Sequence, residues 1–75
     1  MPKELVMKLS ARNSLPGTIR KIDKGAVNAE VTIELSRELS VVSVITLDAV
    51  NTLQLKVGDR AYAVIKASSV MIAID

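Results

Sequence analysis

The stretch Val27-Asn28-Ala29-Glu30-Val31-Thr32-Ile33-Glu34-Leu35 decides how this chain folds. Apolar residues at 27, 29, 31, 33 and 35 alternate with polar residues at 28, 30, 32 and 34. Successive side chains of a strand point to opposite faces. A period of two therefore predicts a β-strand with one buried and one wet face. Just upstream, Lys24-Gly25 marks a turn. Residues 18–23 predict the strand that enters it. Ile19 and Ile22 would fall on opposite faces of a regular pleat, so that strand is expected to bend. Leu15-Pro16-Gly17 reads as a turn before it.

Working downstream, residues 39–46 predict a third strand rich in β-branched side chains. Val42 and Val44 lie on one face, Leu39, Val41 and Ile45 on the other. Residues 47–53 predict a short helix with Leu47, Val50 and Leu53 along one side, and Thr46 is placed to cap it. Leu55-Lys56-Val57-Gly58-Asp59 is a turn region. Residues 60–66 and 70–74 predict two more strands, joined by Ala67-Ser68-Ser69. Leu5, Val6, Met7 and Leu9 offer a further strand for a barrel edge. The expected fold is all-β: a small five-stranded OB-like barrel with one short helix between strands three and four. A barrel has one interior, yet several strands are apolar on both faces. The second faces are expected to lie in subunit interfaces.

Composition supports that expectation. At 75 residues the chain has room for one domain, 1–75. A domain this small buries only about 60% of the surface its unfolded chain exposes. Disulfides or a structural metal commonly compensate. With no Cys and no His, neither thiolate nor imidazole is present. Oligomerisation is the remaining device, and a 49% hydrophobic content agrees with it. The same absences exclude Ser-His and Cys-His nucleophile pairs and a histidine acid–base. No residue spacing supports another catalytic arrangement, so a non-enzyme is expected. Ten basic against eight acidic residues give a net charge of +2. That is too balanced for strong non-specific binding to nucleic acid. No apolar run reaches the roughly 20 residues of a membrane span. The segment Met1-Pro2-Lys3-Glu4-Leu5-Val6-Met7 lacks the apolar core of a signal peptide, so a cytoplasmic location is expected.

The kind of ligand follows from what is missing and what is present. OB folds that bind single-stranded nucleic acid stack bases on aromatic side chains. Here Tyr62 is the only aromatic residue, which removes that device. Two short polar clusters stand at strand ends instead: Ser10-Ala11-Arg12-Asn13-Ser14 and Lys66-Ala67-Ser68-Ser69. Each combines a cation, hydroxyls and small residues that leave backbone N–H groups accessible. Neither contains a carboxylate. A site of donors alone suits a fully deprotonated anion and disfavours hydrogen phosphate, whose O–H needs an acceptor. Solvated loop residues and turn caps are the plain alternative for both clusters.

Four motifs in order resemble the molbindin (Mop) family, whose fold is shared by the TOBE domains of transporter ATPases. The first is Leu9-Ser10-Ala11-Arg12-Asn13 followed by Leu15-Pro16-Gly17-Thr18-Ile19. The second is Lys24-Gly25-Ala26-Val27-Asn28-Ala29-Glu30-Val31. The third is Val44-Ile45-Thr46-Leu47-Asp48-Ala49-Val50. The fourth is Leu55-Lys56-Val57-Gly58-Asp59, leading into Ala63-Val64-Ile65-Lys66-Ala67-Ser68-Ser69-Val70-Met71-Ile72. Residues 1–6 look like an N-terminal extension to this domain. Ser36-Arg37-Glu38 departs from the glycines that relatives often carry in that turn.

The resemblance implies dimers, often assembled further into a hexamer, with molybdate or tungstate bound between subunits and stored there. No other cofactor is implied, and the metal would be held as its oxyanion without direct protein ligands. It also implies the ligand set. Ser10 would supply a hydroxyl, Ala11 a backbone N–H and Arg12 its guanidinium. Thr46, Lys66, Ala67 and Ser68 would complete the set. Each has a structural alternative: an ion pair for Arg12, a snorkelling side chain for Lys66, a turn role for Ser10 and a helix cap for Thr46. Asn13 reads as a structural turn residue. The alternative function is a TOBE-like sensing or assembly module without a storage role.

Overall fold

The computed structural model describes residues 12–75. Four strands form one antiparallel sheet: β1 (Asn13–Lys24), β2 (Asn28–Ser36), β3 (Leu39–Thr46) and β4 (Arg60–Ile65), in the order β3-β2-β1-β4. A helix, α1 (Leu47–Leu53), follows β3, and a 3-10 turn (Ala67–Ser69) follows β4. The sheet is a half-barrel. Among the described residues, β3 and β4 each have one strand neighbour.

The alternation in β2 sorts its side chains as its period requires. Ala29, Val31 and Ile33 are buried, while Asn28 and Glu30 are exposed. Val27, the first member of the pattern, stands outside the strand and is 70% exposed. Its carbonyl accepts a hydrogen bond from Leu47 N at 2.9 Å, which tucks the start of α1 against the hairpin. Ile19, Val31, Ile33 and Ala63 form the core, and Ile22, Leu35, Val41, Ile45, Leu55 and Ala61 pack around them.

The expected bend in the first strand is a β-bulge. The register slips between Ile19 and Lys21, so Ile19 faces Ile33 while Ile22 faces Val31. The extra residue, Arg20, lets both isoleucines turn inward. Its guanidinium pairs with Glu34 at 2.7 Å on the wet face. The 56–59 turn braces the same place. Gly58 N donates to Ile19 O at 2.7 Å, and Ile19 N donates to Asp59 O at 2.9 Å. Gly58 has φ +99, a region that favours glycine.

Three expectations need correction. Leu15-Pro16-Gly17 is no turn; it lies inside β1, opposite Ala63, Tyr62 and Ala61 of β4. Pro is tolerated because pairing with β2 begins only at Thr18. At Pro16 the strand has one paired side, and a missing N–H matters little on the other. The fifth strand is also not formed. Residues 70–75 carry no strand, and Met71, Ile72 and Ile74 are 90–92% exposed. An alternating apolar pattern shows what a strand would cover; it does not supply a partner for the ladder. Leu53 does not join Val50 inside, being 64% exposed. The suggested strand before residue 10 lies outside the described residues, as does the 1–6 extension.

Thr46 closes β3 and caps α1: its Oγ1 accepts from Ala49 N at 3.0 Å. Thr46→Ala should cost about 1 kcal/mol, lowering the melting temperature by roughly 4–8 °C. Thr46→Ser, which keeps the acceptor, should melt close to the parent. Equal melting of the alanine and serine variants would show that the cap contributes nothing.

Candidate functional site

The site is built by the last rung of the β1–β4 ladder. Asn13 faces Ile65 in an antiparallel register. The residue before one and the residue after the other therefore leave the sheet at the same end. Those residues are Arg12 and Lys66, both exposed. Two cations 54 positions apart in sequence thus emerge side by side at one sheet end, each one residue beyond the rung. Neither forms a salt bridge with a carboxylate among the described residues; the ion pair there is Arg20–Glu34.

The rung itself carries a side-chain bond. Asn13 Nδ2 donates to Ile65 O at 3.3 Å. Beyond it the chain turns at once. Lys66 is extended, with φ −63 and ψ 132. Ser69 N then donates to Lys66 O at 2.8 Å, and Val70 N to Ala67 O at 3.2 Å. These bonds consume the amides of Ser69 and Val70. The amides of Ala67 and Ser68 precede them in the chain, directly after Lys66. Ala67 and Ser68 are exposed and small, so an anion can approach their backbone closely.

The structure therefore brings together Arg12, Lys66, Ala67 and Ser68. Ser10 and Ala11 lie outside the described residues. In the sequence they directly precede Arg12. Thr46 is elsewhere. It pairs with Asn28, beside the β1–β2 hairpin, at the opposite end of the sheet. Within one chain it does not join Arg12 and Lys66, and its hydroxyl is engaged at α1.

Two clefts lie at the hairpin end too. One of about 410 Å³ is bordered by Asp23, Lys24, Asn28 and Glu30. A second of about 260 Å³ borders Thr46 and Asp48. Carboxylates line both, so neither suits an anion held by donors alone. No group of three or more carboxylates able to hold a metal cation occurs among the described residues. Also among the described residues, no helix is long and apolar enough to cross a membrane.

Sequence reasoning placed Asn13 in a turn and missed that it ties β1 to β4. Its position next to Arg12 was a signal; the partner, 52 residues away, was not visible without the register.

Comparison with known proteins gives concordant results. The TOBE-domain family model matches residues 9–72. A protein of Haemophilus influenzae named "Probable molybdenum-pterin-binding protein" is 46% identical over 69 residues, spanning 92% of this chain and all of its own length. A solved molybdate-binding protein from Sporomusa ovata superposes with a TM-score of 0.84 at 35% identity, covering 91% of this chain and all of that one. ModG, described as a cytoplasmic molybdate-binding protein and solved with molybdate bound, gives a TM-score of 0.78 at 49% identity. The match covers 89% of this chain and 48% of ModG.

Proposed function

This chain belongs to the TOBE-domain family, in the group of molybdenum-pterin-binding (Mop) proteins and molbindins, and from that premise we propose that it binds molybdate reversibly. The observation that carries the proposal is the Asn13–Ile65 rung, which sets Arg12 beside Lys66 and the Ala67 and Ser68 amides. In this reading the ligands are Ser10, Ala11, Arg12, Lys66, Ala67 and Ser68 of one copy and Thr46 of a second, all acting as donors. A tetrahedral dianion accepts from all of them and needs nothing in return. Hydrogen bonds to charged groups contribute roughly 1.5–3 kcal/mol each. Four or five, after the costs of binding, are consistent with micromolar affinity, about −8 kcal/mol. The absence of a carboxylate acceptor disfavours protonated phosphate. Tungstate, of the same charge and shape class, is the expected competitor.

The anion is held between subunits of a homo-oligomer, built from dimers and completed as a hexamer. Two observations support this. Thr46 sits at the far end of the sheet from Arg12, so it can join the site only from a second copy. Large apolar side chains are also left uncovered: Leu39, Val42 and Val44 on β3, and Met71, Ile72 and Ile74 after the 3-10 turn. Burying surface of this kind at about 25 cal/mol per Å² favours association. The role is storage of the oxyanion in the cytoplasm. It is a binding function and no bond is made or broken, so the protein is not an enzyme.

Mass action gives the test. A ligand that binds only folded protein stabilises it by about 2.7 kcal/mol at 100 times its Kd. For a chain of this size that raises the melting temperature by roughly 10–20 °C. Molybdate and tungstate should do so, and sulfate and phosphate at equal concentration should not. An intact oligomer whose melting ignores molybdate would instead support an assembly or sensing module.

A further inference from the structure

We propose that Asn13 is a positioning residue for the anion site, its side-chain amide holding Arg12 and Lys66 at one end of the sheet. The inference rests on the oxyanion reading above and assigns Asn13 no contact with the anion.

The segment that carries Arg12 is weakly held. β1 is covered by β2 only from Thr18 onward. From Asn13 to Gly17 its ladder runs to β4 alone. Asn13–Ile65 is the terminal rung of that ladder, and terminal rungs open most readily. Two like charges stand immediately outside it, and their repulsion favours opening when no anion is bound. The Asn13 amide works against both effects. Its Nδ2 donates to Ile65 O across 52 residues of sequence, and the side chain is half-buried. The acceptor is the carbonyl of the residue that precedes Lys66. The bond therefore fixes the point from which the Lys66 backbone departs, and the donor residue fixes Arg12.

A positioning role makes a specific prediction in a double-mutant cycle. Asn13→Ala should weaken molybdate binding about five- to tenfold, the equivalent of one neutral hydrogen bond. Lys66→Ala should weaken it by at least as much. With Lys66 already replaced, Asn13→Ala should cost clearly less than in the parent, about two- to threefold, because Arg12 is then the one cation left for it to position. A residue that only stabilised the fold would lower the melting temperature and leave the affinity of folded protein unchanged. Should Asn13→Ala fail to fold, Asn13→Leu keeps similar bulk without the donor and enters the same cycle. Calorimetric titration of each variant with molybdate reads all four corners. Parent protein that binds, with additive losses or none at Asn13, would overturn the role of Asn13 alone. Parent protein that takes up no molybdate would overturn the oxyanion reading and this proposal together.

Discussion

Replacing Arg12 with alanine is expected to weaken molybdate binding by about tenfold to 100-fold without altering the fold. A hydrogen bond to a charged group contributes roughly 1.5–3 kcal/mol, and every 1.4 kcal/mol is about tenfold in affinity. Arg12 is exposed and lies just outside β1, so its side chain carries none of the core. Circular dichroism and melting of the variant should match the parent. Arg12→Lys should recover only part of the loss, since an ammonium keeps the charge but lacks the planar fork of donors. Affinity unchanged in Arg12→Ala would remove this residue from the site. The same outcome would shift attention to Lys66 and the amides that follow it.

The largest effect on stability is expected at Gly17. A Cβ built there would lie 2.6 Å from Glu34 O and 2.7 Å from Ile33 Cγ2. Real Cβ atoms do not approach so closely, and the first of these atoms is backbone. β1 and β2 would have to separate where their ladder begins. Overpacking of this kind typically costs 1–3 kcal/mol, and the backbone clash puts Gly17→Ala at the upper end. The expected drop in melting temperature is about 10–20 °C. Thermal unfolding of the variant checks it. A shift within a few degrees of the parent would mean that the two strands can part at no cost, contrary to the packing described for them.

Gly17 also shows where local reading of the sequence misleads. Pro16-Gly17 has turn chemistry, yet here proline occupies a strand position with one open side and glycine meets its neighbour strand closely. Both are consequences of which strand pairs where, and that is long-range information. The alternation at 28–35 needs no such information. It sorts β2 into buried and exposed faces by itself, and the clash of phase between Ile19 and Ile22 marks the bulge beside Arg20. Residues 70–74 illustrate the limit of pattern. Their apolar content was legible; a strand also needs a ladder partner, and among the described residues they have none.

The site divides in the same way. That Ser10-Ala11-Arg12 and Lys66-Ala67-Ser68 are donor-rich and free of carboxylates is plain from the residues. That Arg12 and Lys66 share one end of the sheet depends on the Asn13–Ile65 register. Thr46 carries a strong local signal, the helix cap, and the structure contains that cap. A role for Thr46 in anion binding depends on how copies of the chain meet, which no single-chain pattern encodes.

The most direct measurement is calorimetric titration of the ligand-free protein with molybdate, with sulfate and phosphate as controls. The account predicts saturable binding of molybdate in the micromolar range and no saturable heat with either control. Absence of binding by molybdate and tungstate alike would contradict it, and the paired cations at the end of β1 and β4 would then need another explanation.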